Sequence, residues 1–343
     1  MRMTSSNNDK PLVSLCITCY NQAKYIREAI QSAFDQTYSP LEIVVSDDCS
    51  TDGTDKIVEE MFSGYHGQHK LIFNRNEKNL FVCRNYEKAF KIAHGRLLVT
   101  GAGDDISFPH RVQRLVELWN AAGQKPSILL HGFSIIDVQG IELWKEYQTN
   151  PNIFRGAGAA YISDVVTKFP SLSVTERVYE DHVFSTRALL LGDCLIVNEA
   201  LVKYRLGSGL TTAKGHRATR ARASKAALPL KDVQLADIEY ARSFVAQSKC
   251  NELKKIVDFR FRHYSAEYDV CAGRFFWTRF DGWRRLTPEN GWQLSLWEKY
   301  VIYGRYVPPL GLGVFIWVAV IVFSKLRILR LIKWGYRVVT GRR

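Results

Sequence analysis

Short apolar runs and amphipathic stretches alternate along the first 140 residues of the chain. The runs "LVSLCIT" (12–18), "LEIVVS" (41–46), "KLIF" (70–73), "RLLVTG" (96–101) and "SILLHGFSIID" (127–137) read as strands. Between them, "AKYIREAIQSAFDQ", "DKIVEEMF", "NYEKAFKIAH" and "HRVQRLVELWNAA" place apolar residues at helical spacing. Strands separated by helices of this length pack as a mainly parallel sheet flanked by helices, an α/β architecture. The punctuation supports these boundaries. Thr51 or Asp52 is expected to cap the second helix, Gly95 to close the third, Pro109 to open the fourth and Gly123 to stop it.

Beyond about residue 150 the periodicity loosens. "NPNIFRGAGAAYIS" reads as a loop and short helix, "YEDHVFSTRALLLG" as a loop leading into a helix, and "CLIVNEALVKYR" as one or two strands. The division expected is a disordered N-terminus over 1–10, an α/β domain over 11–212, a helical region over 213–300 and a distinct tail over 301–343. The N-terminus "MRMTSSNNDK" has no apolar stretch behind its Arg, which argues against a cleaved secretory signal.

The tail changes the meaning of the net charge of +13. From Lys299 to Arg343 there are nine Lys or Arg and no Asp or Glu, which leaves +4 for everything before. Within the tail, Tyr306 to Ser324 is a stretch of 19 residues without a formal charge, about the length that spans a hydrocarbon core. The following "KLRILRLIKWGYR" gathers basic side chains on one helical arc and apolar ones on the other, an interfacial pattern. A single crossing would put the basic end outside, against the positive-inside tendency. Peripheral or monotopic attachment to the anionic cytoplasmic face of the plasma membrane is preferred, with a buried core helix as the competing reading. The basic excess therefore points to a membrane surface, not to nucleic acid.

Seven cysteines, at positions 16, 19, 49, 83, 194, 250 and 271, make no disulfide framework, and a reducing compartment fits them better. Cys16 and Cys19 form an isolated CxxC inside a strand, where residues three apart face opposite ways, so two core or rim residues are expected and not a zinc site. His131 and His216 have no convincing partner in sequence and read as core or surface residues.

Acidic residues gather where a parallel sheet presents its carboxyl ends. Asp47 and Asp48 follow the second strand, Asp104 and Asp105 the fourth, and Asp181 precedes a helix. Such a cluster suits a hard cation such as Mg2+ or Mn2+, which takes one or two carboxylates and completes its shell with water and substrate phosphates. A dinucleotide fold would need GxGxxG after the first strand, and that junction reads "TCYNQAKY". Gly101 and Gly103 are taken to allow the backbone close approach to a ligand.

The stretch "PLVSLCITCYNQAKYIREAIQSAFDQTYSPLEIVVSDDCSTDGT" (11–54), with "NEKNLFVCRNYEKAFKIAHGRLLVTGAGDDISFPHR" and "YEDHVFSTRALLLG", resembles the family 2 glycosyltransferases of GT-A fold over about residues 11–210. The resemblance implies an inverting transfer of one sugar from a UDP- or dTDP-sugar. Asp105 would hold the metal. Asp104 would touch the ribose or share the cation, and Asp48 with Thr18 and Tyr20 would form the base pocket. Asn21 and Arg84 would assist with the nucleotide, and Asp47 would cap the turn. Asp181 would be the catalytic base, with Glu180 as the second candidate. The His that many relatives carry after "YR" is missing from "YRLGSGLTT" (204–212), and so is the QxxRW element of processive synthases, so single addition is expected. Taken with the tail, the implied acceptor is a lipid-linked saccharide of surface polysaccharide assembly, such as O-antigen or capsule. A nucleotide-sugar-binding protein without transferase activity and a basic membrane adaptor are the alternatives.

Overall fold

A computed structural model describes residues 10–147, 156–173, 178–208 and 227–258. The chain divides into two compact units, Met1–Phe261 and Arg262–Arg343, and every described residue belongs to the first. The tail over 301–343, His216 and most of the helical region expected over 213–300 lie outside the described residues.

Nine strands form one sheet: β1 (Val13–Cys19), β2 (Leu41–Asp47), β3 (Lys70–Arg75), β4 (Leu97–Ala102), β5 (Ile106–Ser107), β6 (Pro126–Ile136), β7 (Glu142–Glu146), β8 (Ala159–Ile162) and β9 (Asp193–Arg205). Their order is β3-β2-β1-β4-β8-β6-β9-β5, with β7 paired to β6. The helices are α1 (Ile26–Phe34), α2 (Thr54–Ser63), α3 (Phe81–Ile92), α4 (Arg111–Ala121), α5 (Asp164–Thr167), α6 (Glu180–Leu191) and α7 (Ala227–Ala241), and a further helical run covers 247–258.

The expected parallel arrangement holds for β3-β2-β1-β4, whose strands are joined by helical crossovers. From β8 onward the sheet is mixed: β8 runs antiparallel to both β4 and β6, and β7 returns on β6 through a turn at Asp137–Ile141. Only β6 and β9 restore parallel pairing there. The chain passes outward from β1 through β2 and β3, then crosses to the other side of β1 for β4. That reversal is the switch point at which α/β sheets open a crevice.

Strand alternation divides the core. Val13, Leu15, Ile17 and Cys19 of β1 face α1, α2 and α4, where Ile26, Ile30, Val58, Leu115 and Trp119 bury against them. Cys16 points the other way, into a cluster built by Tyr86 and Phe90 of α3 with Val183 and Phe184 of α6. The two thiols are free and on opposite faces, as the spacing predicts, and burial pushes both thiols up.

Four local expectations are corrected. Neither Thr51 nor Asp52 occupies the N-cap of α2. Gly53 does, at φ 90°, while Asp52 accepts from the Thr54 N–H at 3.1 Å. The third helix closes at Ala93, and Gly95 instead lies against β1, where an added Cβ would sit 2.5 Å from Ser14 N. The loop and short helix read in "NPNIFRGAGAAYIS" contains a strand, β8, after a single turn at Gly156–Gly158. Gly101 and Gly103 approach protein, not open space. Their Cβ positions fall 2.9 Å from Ile17 Cγ1 and 2.8 Å from Cys19 Cβ.

Candidate functional site

The switch point between β1 and β4 assembles the first group of acids. Thr18 pairs in register with Ala102, and the Gly103 N–H donates to Thr18 O at 3.0 Å, so the turn carrying Asp104 and Asp105 is laid across the end of β1. Both carboxylates are buried, at 7% and 5% exposure. Asp104 Oδ2 accepts from Ser208 Oγ at 2.8 Å. Asp105 Oδ1 accepts from the Arg205 backbone N–H at 2.9 Å, while its Oδ2 is buried without a hydrogen-bond partner. Burial lifts the Asp104 carboxyl above the usual range. Burial, and then the neighbouring Asp104 charge, lift Asp105 well above it. A buried carboxylate in that position ionises when a cation balances it.

The second group lies one strand over. The Asp48 N–H donates to Cys19 O at 2.9 Å, which ties this turn to the same strand end. Asp48 Oδ1 accepts from Asn76 Nδ2 at 2.9 Å and from the Leu80 N–H at 2.8 Å, and burial raises its carboxyl despite these donors. Asp47 is consumed by its own turn: it accepts from the Ser50 N–H and hydroxyl and lies 3.8 Å from Arg75 Nε. Asn21, at φ 52°, braces the two loops, its Oδ1 accepting from the Thr51 N–H and its N–H donating to Ser50 Oγ. Tyr20 is exposed beside this turn. Arg84 is half-buried on α3, without a hydrogen bond or ion pair among the described residues.

The third group stands at the N-terminus of α6. Asp181 Oδ1 accepts from the His182 N–H at 2.8 Å. Burial, and then the Asp181 charge, push the Glu180 carboxyl up to about 8. Tyr86 connects this end to the acidic turn. Its hydroxyl donates to Gly101 O at 2.6 Å and is partnered by Thr18. Burial first, then the charge of Glu180 and, more weakly, that of Asp105, raise its phenol. The structure thus ties Thr18, Asp48, Asp104 and Asp105 to the ends of β1, β2 and β4, and the α6 terminus lies within electrostatic reach of them through Tyr86.

Sequence reasoning missed several residues that shape the site. Arg205, 2% exposed, donates through Nε to Asp104 O at 3.1 Å and pairs with Glu28 at 2.7 Å. Arg111, fully buried, donates to Ser107 Oγ, Ala157 O and His131 Nε2. Burial pulls its guanidinium down to about 9, and it stays charged at neutral pH. His131 is a core residue, as read, with Nδ1 2.8 Å from Gly132 O. Where a His after "YR" is absent, Ser208 occupies the contact to Asp104. The available signal was the "YR" at 204–205 itself.

The residues fit a cation through Asp105 Oδ2, the orphaned buried oxygen, with Asp104 beside it. Among the described residues no group of three or more His, Cys, Asp or Glu could enclose an ion, so most of its shell would come from substrate and water. A surface cavity of about 630 Å3 opens elsewhere, against Phe34, Tyr65 and His69, and none of the predicted site residues lines it. No helix among the described residues is long and apolar enough to cross a membrane.

Residues 14–154 match the family described as Glycosyl transferase family 2. An uncharacterized glycosyltransferase of Methanocaldococcus jannaschii is 26% identical over 213 residues, covering 58% of this chain and 72% of the relative. One from Nostoc is 28% identical over 212 residues, 57% of this chain and 64% of the relative. EpsE of Bacillus subtilis, which also carries a glycosyltransferase name, is 35% identical over 109 residues, 32% of this chain and 38% of the relative. The chain thus spans less than two thirds of the last two. Among solved structures, a mannosyltransferase from Pyrobaculum calidifontis in complex with GDP-Man and Mn2+ superposes with a TM-score of 0.57 at 15% identity, covering 98% of this chain and 89% of that one. S. aureus TarS 1-349, in complex with UDP-GlcNAc, gives 0.50 at 16% identity over 85% and 92%. At these identities the shared property is the fold, the GT-A type.

Proposed function

We propose, from the premise that the chain carries a family 2 glycosyl transferase domain, that it moves one sugar from a nucleotide-diphosphate donor to an acceptor hydroxyl with inversion. The observation that carries this reading is Asp105 Oδ2, a buried carboxylate oxygen without a partner at the sheet's switch point. Asp105, with Asp104, would hold Mg2+ or Mn2+. When bound, the ion would neutralise charge developing on the departing diphosphate.

The chain's own groups do the rest. Asp48, held by Asn76 and Leu80, would accept from the imide N–H of uracil or thymine, with Thr18, Tyr20 and Asn21 around the nucleotide. Arg84, without a partner among the described residues, would be available to the phosphates. Asp181 takes the proton of the acceptor hydroxyl as its oxygen bonds to the anomeric carbon and the bond to the diphosphate breaks. For a carboxylate in that role, placement within hydrogen-bond reach of the acceptor hydroxyl comes first. The solved neighbours with UDP-GlcNAc and GDP-Man support a nucleotide sugar as donor. The uncharged and basic stretches of 301–343 support a lipid-linked saccharide acceptor, met at the cytoplasmic face of the membrane in surface-glycan assembly.

The test is transfer by the full chain with a panel of UDP- and dTDP-sugars, Mn2+ or Mg2+, and lipid-linked acceptors. Asp181→Asn should lose roughly 10²–10⁴-fold in kcat with donor affinity and fold retained. Full activity in that variant removes the assigned base, and donor binding without turnover on any acceptor favours a nucleotide-sugar-binding protein.

A further inference from the structure

Helix α6 is buried on nearly every face, from His182 through Leu190, so its polar side chains need partners inside the protein. Ser185 meets Tyr161 of β8 at 3.2 Å and the Thr186 hydroxyl donates to His182 O at 2.8 Å within the helix, while Arg187, Thr186 and His182 O also have partners on α7, which lies outside the 14–154 span of the family match. Arg187, 1% exposed, forms a two-pronged pair with Asp237: Nε to Oδ2 at 2.8 Å and Nη2 to Oδ1 at 3.0 Å. Its remaining donors reach Val165 O and Pro170 O, and Phe169 covers the guanidinium at 5.0 Å. One turn back, Gln234 Nε2 donates to His182 O at 3.1 Å and to Thr186 Oγ1 at 2.7 Å. Gln234 and Asp237 are three residues apart, on one face of α7, and each is 3% exposed.

A buried ion pair does little for stability that packed apolar residues of equal volume would not do, because desolvation cancels most of the attraction. A planar fork differs from an apolar contact in fixing direction, and here it admits one rotation and one axial register of α6. The carbonyl held by Gln234 belongs to the residue next to Asp181. Displacement of a reacting group by about 1 Å costs on the order of 10²-fold in rate.

We propose that Gln234 and Asp237 of α7, acting through His182 O and Arg187, are positioning residues that hold the first turn of α6 where Asp181 meets the acceptor hydroxyl. The inference rests on the reading of Asp181 as the base. Its test compares Gln234→Leu, Arg187→Lys, Asp237→Asn and Asp237→Glu with Asp181→Asn in the full chain, using the same panel of UDP- and dTDP-sugars. Readouts are kcat, KM for donor and acceptor, donor Kd and melting temperature. Gln234→Leu keeps most of the volume and removes no charge, so it provides the folded variant if the ion-pair variants fail to fold. Expected are a 10- to 100-fold loss of kcat, donor Kd within about twofold of the parent, and partial recovery in Asp237→Glu relative to Asp237→Asn. In an Asp181→Asn background, Gln234→Leu should cost nothing further, because there is no base left to misplace. Lowered melting temperature with unchanged kcat overturns the proposal, and so does a loss that persists in full in the Asp181→Asn background. Full activity of Asp181→Asn alone, or a wild-type chain silent on the whole panel, refutes the base or transferase reading itself and the inference with it.

Discussion

Replacing Glu180 with Gln should stabilise the protein in alkaline solution and leave it unchanged in acid. The carboxyl is held against the backbone of Gly156, where an added Cβ would collide with Oε1, and it faces Tyr86 and Cys83 of α3 and Tyr161 of β8, besides the charge of Asp181. Burial and that charge raise it from 4.5 to about 8. The fold therefore binds this proton more tightly than the unfolded chain does. The resulting stability is fully present below pH 4.5, and it is lost as pH rises through about 8. At roughly 1.4 kcal/mol per pH unit the window sets a ceiling of about 5 kcal/mol. Because the residue is only partly buried, solvent screening reduces the shift and this ceiling together, so a gain of about 3 kcal/mol, or roughly 5–10 °C in melting temperature for a domain of this size, is expected to be complete before pH 8. The assay is thermal denaturation of wild type and Glu180→Gln in metal-free buffers from pH 5 to 9. The variant, fixed in the neutral form, should differ least from wild type at pH 5, pull ahead as pH rises and level off by about pH 8. Asp181→Asn should move the upper end of that divergence to lower pH. A constant difference across the range, or a variant that falls behind as pH rises, refutes the assignment of a raised Glu180.

Two further outcomes follow from the turn at the ends of β1 and β4. Mn2+ at 100 times its Kd should stabilise wild type by about 2.7 kcal/mol, and Asp105→Asn should abolish that shift while still folding; an equal Mn2+ shift in the variant places the ion elsewhere. Gly103→Ala puts a Cβ 2.8 Å from Cys19 Cβ and 3.0 Å from Ile26 Cδ1, so a loss of about 1–3 kcal/mol is expected in denaturant titration, with weakened donor binding; wild-type values for both would show that the turn yields freely.

The parts of the fold legible in the sequence are those where burial is uniform. Strands β1 and β2 are buried throughout and β4 nearly so, so their apolar runs announce them, and the helices between them keep one buried stripe. Strands β5, β7 and β8 were not legible for three different reasons. The first has two residues, the second sets exposed Leu143 and Trp144 side by side between charged residues, and the third is only four residues, two of them Ala. Helix α3 begins four residues before the periodic run suggests, at Phe81, whose φ of 66° no propensity anticipates. A turn is an ordinary use for Asp, as Asp47 shows, but the place of the acids at strand ends was legible from the apolar runs before them. Arg111, Arg187 and Arg205 were not, because composition assigns arginine to the surface and only tertiary contacts show why these three are inside.

Those three arginines bear on how the site carries its charge. Each is at most 2% exposed, and a guanidinium taken out of water is tolerated only if its donors are satisfied. Most of the satisfying groups are backbone carbonyls: Ala157 O for Arg111, Val165 O and Pro170 O for Arg187, and Asp104, Asp137 and Val138 O for Arg205. Their geometric work is to fasten loops to helices and strands. Arg111 and Arg205 temper the charge of Asp105 from a distance, yet neither guanidinium touches Oδ2. Asp104 adds a like charge next to it. Among the described residues no cationic side chain bonds Asp105 Oδ2, while Asp105 Oδ1 and Asp104 are held by hydrogen bonds. A divalent ion arriving with a diphosphate would supply positive charge and oxygen ligands together, with little reorganisation of the chain required.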